Sequence, residues 1–357
     1  MKILSVVGAR PQFVKAGVVS RELRQTHQEI LVHSGQHYDA NMSEVFFDEL
    51  GLPAPDENLG VGSGSHGEQT GRMLMALETC MLGHKPELVL VYGDTNSTLA
   101  GALAAAKLNL PIAHVEAGLR SFNREMPEEL NRVLTDRLSA LLFCPTRAAV
   151  ENLADEGLTK GVSLTGDVMY DVLLQSLPAA RERTQVGREL GLRRGEYVVV
   201  TVHRASNTDE PGNLAAIVEA LTRIEHQVAF PLHPRTRSRL QSAGMLGRLQ
   251  AAPNVHVLDP LGYLEMLALM DAAGKILTDS GGVQKEAFLL GVPCVTMRRD
   301  TEWVETVESG WNTLTGPDTE AILRAIAARA PTTERGAPYG EGNAAAQIRE
   351  EIDRFAG

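Results

Sequence analysis

The sequence has few cysteines and no long apolar run, and each lack excludes a class of protein. Its three cysteines, Cys80, Cys144 and Cys294, lie far apart in apolar stretches, and none belongs to a C-x-x-C pair. This pattern favours buried reduced thiols over a disulfide framework or a zinc site. The first apolar run, residues 3–7, is soon interrupted by Arg10, and no run approaches the roughly 18 residues that span a bilayer. We therefore expect a soluble, cytoplasmic protein.

Basic side chains are also in the minority. There are 34 lysines and arginines against 45 aspartates and glutamates, a net charge of −11. A surface of that sign repels nucleic acid and anionic lipid, so we expect neither a nucleic-acid nor a membrane partner. With 43% apolar and 22% charged residues, the composition is that of an ordinary globular protein. A length of 357 residues predicts two domains, at about 100 to 200 residues each.

Short β-branched runs alternate with segments of helical period along almost the whole chain. Runs that are apolar on both faces predict parallel strands joined by right-handed crossovers. The runs are 2–8, 29–35, 87–93, 111–117, 141–146, 197–203, 228–234, 254–260, 275–282 and 293–297. The predicted fold class is α/β, with two Rossmann-like, doubly wound domains that face each other across a cleft.

The charged segment 177–196 is poor in strand formers and is predicted to bridge the two halves as a helix and a turn. We expect an N-terminal domain at 1–180 and a C-terminal domain at 181–340, followed by a helix at 341–357 that packs back on the first domain. Open parallel sheets bind ligands beyond the carboxyl ends of their strands. Functional residues are therefore expected at those ends.

Basic side chains follow the first strand of each half. Arg10 and Lys15 flank Pro11 at a helix start, where free N–H groups and two cations would hold a diphosphate. A solvated turn with two surface cations explains the same residues. His203 follows the first strand of the second half, where it either donates to a phosphate, acts as an acid or serves the structure.

A stronger pattern, DSGGVQKE, spans residues 279–286. A strand ends there, two glycines let the backbone approach a ligand, and a helix begins. The predicted anion cradle consists of Ser280, Gly281 and Gly282. Glu286 lies where a carboxylate can accept bonds from both hydroxyls of a ribose. The pattern therefore predicts a nucleoside diphosphate site, and its alternative is a plain strand-to-helix turn in which Glu286 favours the helix dipole.

Three carboxylates of the first domain lie at strand ends or helix starts. Asp94 is predicted to be a helix N-cap, and Glu116 ends a strand. Glu128 begins a helix on the same face as Arg132. Each also has a structural explanation: Asp94 as a cap, Glu116 as a partner of Arg120, and Glu128 as a first-turn charge. Together at one sheet edge, they predict an acid–base set.

Seven segments, in order along nearly the whole chain, closely resemble the non-hydrolysing UDP-N-acetylglucosamine 2-epimerases. They are VVGARPQFVKA at 6–16, SGQH at 34–37, YGDTNST at 92–98, HVEAGLRS at 114–121, MPEELNR at 126–132, VTVHRASN at 200–207 and DSGGVQKEA at 279–287. The resemblance implies a glycosyltransferase-B-like pair of Rossmann domains that holds a UDP-sugar between them. It also implies a homodimer and no metal or redox cofactor.

The resemblance assigns roles to individual residues. Those with an implied catalytic role are Lys15, Asp94, Glu116, Glu128 and His203. Those with an implied role in binding UDP or substrate are Arg10, Lys15, Arg132, His203, Ser280, Gly281, Gly282 and Glu286. The implied reaction removes the C2 proton as UDP leaves C1. A proton then returns to the opposite face of the 2-acetamidoglucal intermediate, and UDP adds again.

The sequence departs from the common UDP-N-acetylglucosamine enzymes at Tyr38, 67–75, 121–126 and 301–305. It is closer there to a sub-branch that epimerises UDP-2,3-diacetamido-2,3-dideoxy-D-glucuronic acid, which is our substrate prediction, with UDP-N-acetylglucosamine as the alternative. The sub-branch substrate carries a carboxylate. Candidate cations for it, which could equally form structural ion pairs, are Arg72, Arg120, Arg124, Arg298 and Arg299.

A second UDP-sugar activates the common enzymes through a Gln-His-Arg sequence. Gln36 and His37 are candidates for that allosteric site, but Tyr38 replaces the arginine, so the match is incomplete.

Three other functions stay open. A hydrolysing 2-epimerase would release free sugar, and a nucleotide-sugar sensor would bind without turnover. A sensor would be expected to lack the catalytic carboxylates, whereas Asp94, Glu116 and Glu128 are present in this sequence. A glycosyltransferase of the same fold often needs a lipid-linked acceptor, and we find no basic amphipathic helix for a membrane surface.

Overall fold

The computed structural model describes residues 1–35, 54–182 and 185–357. The chain divides into two compact units. The first unit comprises Met1–Gln175 and Ala337–Gly357, and the second comprises Ser176–Gly336. Each unit is built on one parallel β-sheet, which confirms the predicted α/β class with two Rossmann-like domains. None of the described helices combines the length and the apolar character needed to cross a membrane.

The sheet of the first unit has seven strands. They are β1 (Lys2–Val7), β2 (Gln28–His33), β3 (Glu57–Asn58), β4 (Leu88–Tyr92), β5 (Ile112–Val115), β6 (Leu141–Cys144) and β7 (Val162–Leu164). The helices that follow them are α1 (Arg10–Leu23), α2 (His66–His84), α3 (Asn96–Lys107), α4 (Pro127–Leu138), α5 (Arg147–Asp155) and α6 (Val168–Glu182). The strand order is β3-β2-β1-β4-β5-β6-β7, with parallel neighbours throughout.

The central strands are apolar because helices cover both faces of the sheet. All five residues of β4, LVLVY, are buried. The strand order changes direction between β1 and β4, and such a switch point is where open α/β sheets bind ligands. The helices that start there, α1 and α3, therefore carry the residues best placed for a site.

The second unit repeats this plan with six strands. They are β8 (Tyr197–Thr201), β9 (Gln227–Pro231), β10 (Val255–Leu258), β11 (Lys275–Thr278), β12 (Cys294–Thr296) and β13 (Asn312–Leu314). The helices are α7 (Gln185–Glu189), α8 (Ala205–Thr208), α9 (Pro211–Arg223), α10 (Pro234–Ser242), α11 (Leu246–Ala251), α12 (Tyr263–Asp271), α13 (Gly281–Leu290), α14 (Val304–Glu308) and α15 (Thr319–Ala327). The parallel order β10-β9-β8-β11-β12-β13 puts the switch point between β8 and β11.

The last helix, α16 (Ala344–Ala356), belongs to the first unit and contacts α1. Its start is held by Asp171, whose carboxylate accepts bonds from the backbone N–H of Ala344 at 3.1 Å and of Ala345 at 2.9 Å. Farther along, Thr26 donates to Asp353 at 3.2 Å. These contacts fix the end of the chain on the first unit.

Each predicted apolar run contains a strand, whereas β3, β7 and β13 were not predicted. All three have only two or three residues and lie at an edge of their sheet. Edge strands lack the apolar cover on both faces that made the central strands recognisable.

Candidate active site

Lys15 and Glu116 form an ion pair at the carboxyl edge of the first unit's sheet. Lys15 lies on α1, and its ammonium donates to the carboxylate of Glu116, which follows β5. The two side chains are only 12% and 14% exposed. Burial lowers the pKa of Lys15, but the charges of Glu116, Asp167 and Asp94 outweigh it and raise that pKa above its ordinary value. The charged ammonium of Lys15 is therefore favoured over the neutral amine.

The backbone of Glu116 is held in an unfavourable conformation. Its φ of 74° lies in the left-handed region, which costs a non-glycine residue on the order of 1–3 kcal/mol. Its N–H donates to the carbonyl of Phe143 at 3.1 Å. A Cβ at Gly93 would lie 3.3 Å from Glu116 Oε2, so a glycine there leaves room for the carboxylate. The surrounding backbone thus fixes where this acid points.

Asp94 follows β4 and forms an ion pair with Arg132 of α4. The prediction that Asp94 is the N-cap is wrong, because Thr95 occupies that position of α3. The Asp94 side chain is 33% exposed, so its carboxylate remains accessible beside Arg132, of which 11% is exposed. Asn131 donates to the Asp94 carbonyl at 2.9 Å and holds its backbone. The sequence therefore predicted the correct sheet edge for Asp94 but the wrong capping role.

Helix α4 turns Glu129 inward and Glu128 outward. Glu129 is 4% exposed, and Oε2 accepts bonds from the N–H of Ser121 at 2.9 Å and its hydroxyl at 2.8 Å. Burial raises the pKa of Glu129, but these bonds and Arg132 lower it overall. Glu128 is exposed and, within the described part of the chain, has no hydrogen-bond or ion-pair partner. Glu129 was missed, although its i, i+3 spacing to Arg132 was a signal.

Arg120 is a structural residue. Its side chain is 1% exposed, and its guanidinium donates to Asp136 at 2.7 Å and to both oxygens of Glu156, the closer at 2.6 Å. Of the two alternatives that the sequence left for Arg120, a substrate cation or a structural ion pair, the structure shows the ion pair. The structural explanation of Glu116 as a partner of Arg120 is wrong, because Glu116 pairs with Lys15. Asp136 also lies 2.7 Å from His114 Nδ1. Arg120, Asp136 and His114 therefore form a buried polar group that stabilises the loop after β5.

The turn between β1 and α1 is less open than predicted. Arg10 is the first residue of α1. The N–H groups of Gly8 and Ala9 donate to Gln12 Oε1 at 2.8 and 3.0 Å, so neither is free to bind a phosphate. Gln12 Nε2 in turn donates to the Tyr92 carbonyl at 2.6 Å, which ties α1 to the end of β4. Gln12 therefore connects the turn after β1 to the end of β4 at the switch point of the first unit.

In the second unit, Ser280 is the N-cap of α13 and accepts a bond from the Val283 N–H at 3.5 Å. The two glycines that follow it differ. A Cβ at Gly281 would lie 2.2 Å from Glu302 Oε1, whereas at Gly282 the nearest atom would be Ser280 Oγ at 3.9 Å. A Cβ at Gly281 therefore fits only if the Glu302 side chain moves, whereas Gly282 leaves the helix N-terminus open to a ligand.

Asp279 organises the turn after β8, a role that the sequence did not reveal. It is fully buried, and its carboxylate accepts bonds from the N–H groups of His203 and Arg204, each at 3.0 Å, and from Asn207 Nδ2 at 3.0 Å. The His203 side chain is 43% exposed. Burial lowers the pKa of His203, Asp279 opposes this, and His233 at 6.0 Å between ring centroids lowers it further.

Glu286 lies on α13 next to Tyr263. Burial raises the pKa of Glu286 to about 7, although Lys285 and Tyr263 act in the opposite direction. Lys285 itself stacks over the Trp303 ring, with its Nζ 4.2 Å from the ring centroid. Glu286 is thus a carboxyl group that changes charge near neutral pH at the position predicted to bind ribose.

The other arginines proposed for a substrate carboxylate differ in their partners. Arg298 pairs with Glu302 at 2.9 Å and with Asp300 at 3.1 Å. Arg72 donates to the Ser63 carbonyl at 2.9 Å. Arg124 and Arg299 are exposed. The predicted allosteric residues Gln36 and His37 lie outside the described residues.

The chain matches known proteins over nearly its full length. Residues 21–353 match the model of the UDP-N-acetylglucosamine 2-epimerase family. A UDP-2,3-diacetamido-2,3-dideoxy-D-glucuronate 2-epimerase from Pseudomonas aeruginosa is 53% identical, over 99% of this chain and 100% of the relative. A UDP-N-acetylglucosamine 2-epimerase homolog from Methanococcus maripaludis is also 53% identical, over 98% and 99%. The crystal structure of Methanocaldococcus jannaschii UDP-GlcNAc 2-epimerase with UDP-GlcNAc and UDP is 42% identical, covers 99% of this chain and 100% of that one, and has a TM-score of 0.86. The chain therefore belongs to the UDP-N-acetylglucosamine 2-epimerase family.

Proposed function

We propose that this chain inverts C2 of a UDP-sugar without hydrolysis, by eliminating UDP and adding it back. The observation that carries the proposal is the charge cluster at the switch point of the first unit, where Lys15 pairs with Glu116 and Arg132 pairs with Asp94. It combines carboxylates for proton transfer with fixed cations, and elimination needs both.

The chemistry explains why several acids are present. The C2 hydrogen of the sugar is not next to a carbonyl, so its removal needs the departure of UDP from C1 as a driving force. Inversion then requires one group to take the proton and another to return a proton on the opposite face. Asp94, Glu116 and Glu128 supply carboxylates for these steps, and Lys15 stabilises negative charge without exchanging its own proton.

The second unit is proposed to bind the nucleotide. Ser280 and the open backbone at Gly282 receive the diphosphate at the start of α13, with His203 as a further phosphate partner. Glu286 accepts the ribose hydroxyls. Asp279 contributes indirectly, because it bonds the backbone of His203 at 3.0 Å and so positions that side chain.

For the substrate, we propose UDP-2,3-diacetamido-2,3-dideoxy-D-glucuronate, converted from the gluco to the manno epimer. The 53% identity to the Pseudomonas aeruginosa enzyme of that name supports this choice. UDP-N-acetylglucosamine is the alternative, which the Methanocaldococcus jannaschii structure at 42% identity supports. Among the candidate cations for a substrate carboxylate, Arg124 and Arg299 are exposed and suited to that role, whereas Arg120 is committed to Asp136 and Glu156.

The test is incubation with each UDP-sugar in heavy water, followed by NMR of C2. We expect deuterium at C2 of both epimers, faster with the diacetamido substrate, and no free sugar. Asp94→Asn and Glu128→Gln should abolish exchange and retain UDP binding, while Glu125→Gln, an exposed carboxylate in the preceding loop, should behave like the wild type. Binding without label uptake would indicate a sensor, and accumulated free sugar would indicate a hydrolase.

We also propose a homodimer and a cytoplasmic location. Leu130, Leu134 and Leu138 form a row on α4 that is 42%, 50% and 37% exposed, and a second copy would cover it. Leu134→Asp should then give a monomer in light scattering, whereas Leu82→Asp, at a 59% exposed position of α2, should not. None of the three cysteines forms a disulfide, as a reducing compartment favours.

A further inference from the structure

Three side chains with metal-binding atoms meet beside strand β3, at the opposite edge of the sheet from β7. Glu57 lies on β3, while Cys80 and His84 lie one turn apart near the end of α2. One carboxylate, one sulfur and one imidazole atom all lie within 4.8 Å of one another. In the sheet, β2 and β1 separate β3 from β4, so this group is distinct from the Lys15 and Asp94 cluster.

The geometry of the three residues converges on a single oxygen. Glu57 Oε2 lies 2.8 Å from His84 Nε2 and 3.3 Å from Cys80 Sγ. A tetrahedral ion with bonds of about 2.0–2.3 Å sets its ligand atoms about 3.3–3.8 Å apart. The carboxylate–sulfur distance fits such an ion as it stands, and the carboxylate and the imidazole would move apart by about 0.5 Å to admit it. One cation between the three atoms would take the place of the thiol proton and the shared hydrogen bonds.

The donor set identifies the class of ion. A thiolate, an imidazole and a carboxylate together suit zinc and its neighbours in the first transition row, and they do not suit magnesium or calcium, which prefer oxygen ligands. Cys80 and His84 at i, i+4 lie on one face of α2, which is the spacing that lets two helix residues bind one ion.

The surroundings leave room for a fourth ligand. An open pocket of about 450 Å³ is lined by all three residues together with Leu59, Ala76, Thr79 and Gly83. Cys80 is 6% exposed, whereas the side chains of Glu57 and His84 are 40% and 35% exposed. The Cys80 sulfur therefore lies on the buried side of the group, and the Glu57 carboxylate and the His84 imidazole lie on its solvent-exposed side.

We propose that Glu57, Cys80 and His84 bind one zinc-class divalent cation, with water in the fourth position. Such an ion would join β3, an edge strand of only two residues, to helix α2. This proposal departs from the expectation of a reduced thiol at Cys80 and of no metal. Glu57 lies 23 residues from Cys80 and is brought to it only by the fold, so the sequence pattern could not show the pair.

The test is a titration of untagged, full-length protein, stripped with a chelator, with Co²⁺ and then Zn²⁺. We expect one equivalent of Co²⁺ to produce the charge-transfer band of a cobalt thiolate, and Zn²⁺ to displace it. Cys80→Ser should remove the band. His84→Gln, at a half-exposed position that tolerates substitution, should weaken binding at least about 100-fold, because it removes a direct ligand and not merely an outer partner.

Glu78→Gln is the matched control, since Glu78 is an exposed acid on the same helix, and it should leave the titration unchanged. Zn²⁺ should also raise the melting temperature of the wild type and of Glu78→Gln, but not that of His84→Gln. No thiolate band in the wild type, or a band that persists in folded Cys80→Ser, would overturn the proposal and leave a hydrogen-bonded group only.

Discussion

Glu129 Oε2 lies 3.0 Å from Arg132 Nη1, one turn along helix α4. The same carboxylate accepts three bonds from Ser121 and Phe122, so it holds both the arginine and the loop that precedes the helix. Its neighbour Glu128 is exposed. Two adjacent glutamates thus divide their tasks, one supporting the structure and one reaching solvent.

This division predicts opposite effects for two conservative substitutions. Glu128→Gln should lower kcat at least about 100-fold, because it removes a proton-transfer group, with an unchanged melting temperature. Glu129→Gln should destabilise the fold by about 1–3 kcal/mol, since it weakens buried bonds to the backbone. Turnover and urea unfolding of both variants check the pair. Loss of stability in Glu128→Gln with normal turnover would contradict the assignment.

Lys15 is predicted to act through its charge. Its pKa is raised above the ordinary value, so the ammonium persists through the pH range of an assay. Lys15→Met should lower kcat about 100-fold, as expected when one preorganised electrostatic group is removed. It should also move the acid limb of the pH–rate profile to higher pH, because Glu116 loses its cation.

A matched control for Lys15 is Lys107→Met, which removes a charge from the last turn of α3. This variant should keep both the rate and the pH profile of the wild type. An unshifted acid limb in Lys15→Met would show that the Lys15–Glu116 pair does not govern proton transfer.

The sequence predicted the positions at strand ends better than the partners of those residues. A strand end is a local feature, so Asp94, Glu116, His203 and Ser280 were all placed at the carboxyl edges of their sheets. The hydrogen-bond partners of these residues, in contrast, depend on the tertiary fold and not on the local sequence. Asp279 bonds the backbone of His203 from 76 residues away, and only the pairing of β8 with β11 brings the two together.

Helix rotation is the second limit of the sequence. Neighbouring residues on a helix point about 100° apart, so a motif with two adjacent glutamates does not reveal which one faces inward. The partners of Arg120 were not predicted either, because they lie on other segments: Asp136 is a buried residue of α4, and Glu156 follows α5.

Arg120 is predicted to matter for stability rather than for substrate choice. Arg120→Ala would leave Asp136 buried without its cation, which should cost about 3–5 kcal/mol. Arg124→Ala removes an exposed charge and should change stability by less than about 0.5 kcal/mol. If a substrate carboxylate is bound by Arg124, its KM should rise only for the diacetamidoglucuronate. Denaturant unfolding and steady-state kinetics with both UDP-sugars separate these outcomes.

The two glycines of α13 are predicted to respond differently to alanine. Gly281→Ala would force Glu302 to move, because its Oε1 lies 2.2 Å from the new Cβ position. The resulting loss of stability should shrink in the Glu302→Ala background, which gives a coupling of about 0.5–3 kcal/mol in a double-mutant cycle. Gly282→Ala has open space and should fold normally but weaken UDP binding. If Gly281→Ala and Gly282→Ala changed the stability equally, the different surroundings of the two glycines would not govern their roles.

Burial raises the pKa of Glu286 to about 7, so this carboxyl should govern how nucleotide binding depends on pH. In the free protein this carboxyl is protonated below that pH, and only the ionised form accepts bonds from both ribose hydroxyls. Binding therefore favours loss of the proton, so affinity should be constant at alkaline pH and fall as pH drops below about 7, by up to about tenfold per pH unit. Protonation of His203 would act in the opposite direction, because it adds a cation near the phosphates.

The test for Glu286 is calorimetry with UDP-N-acetylglucosamine, because both of its phosphates are diesters and do not titrate in this range. Glu286→Gln should bind more weakly and lose the dependence, whereas a dependence that survives in this variant would assign the proton to another group.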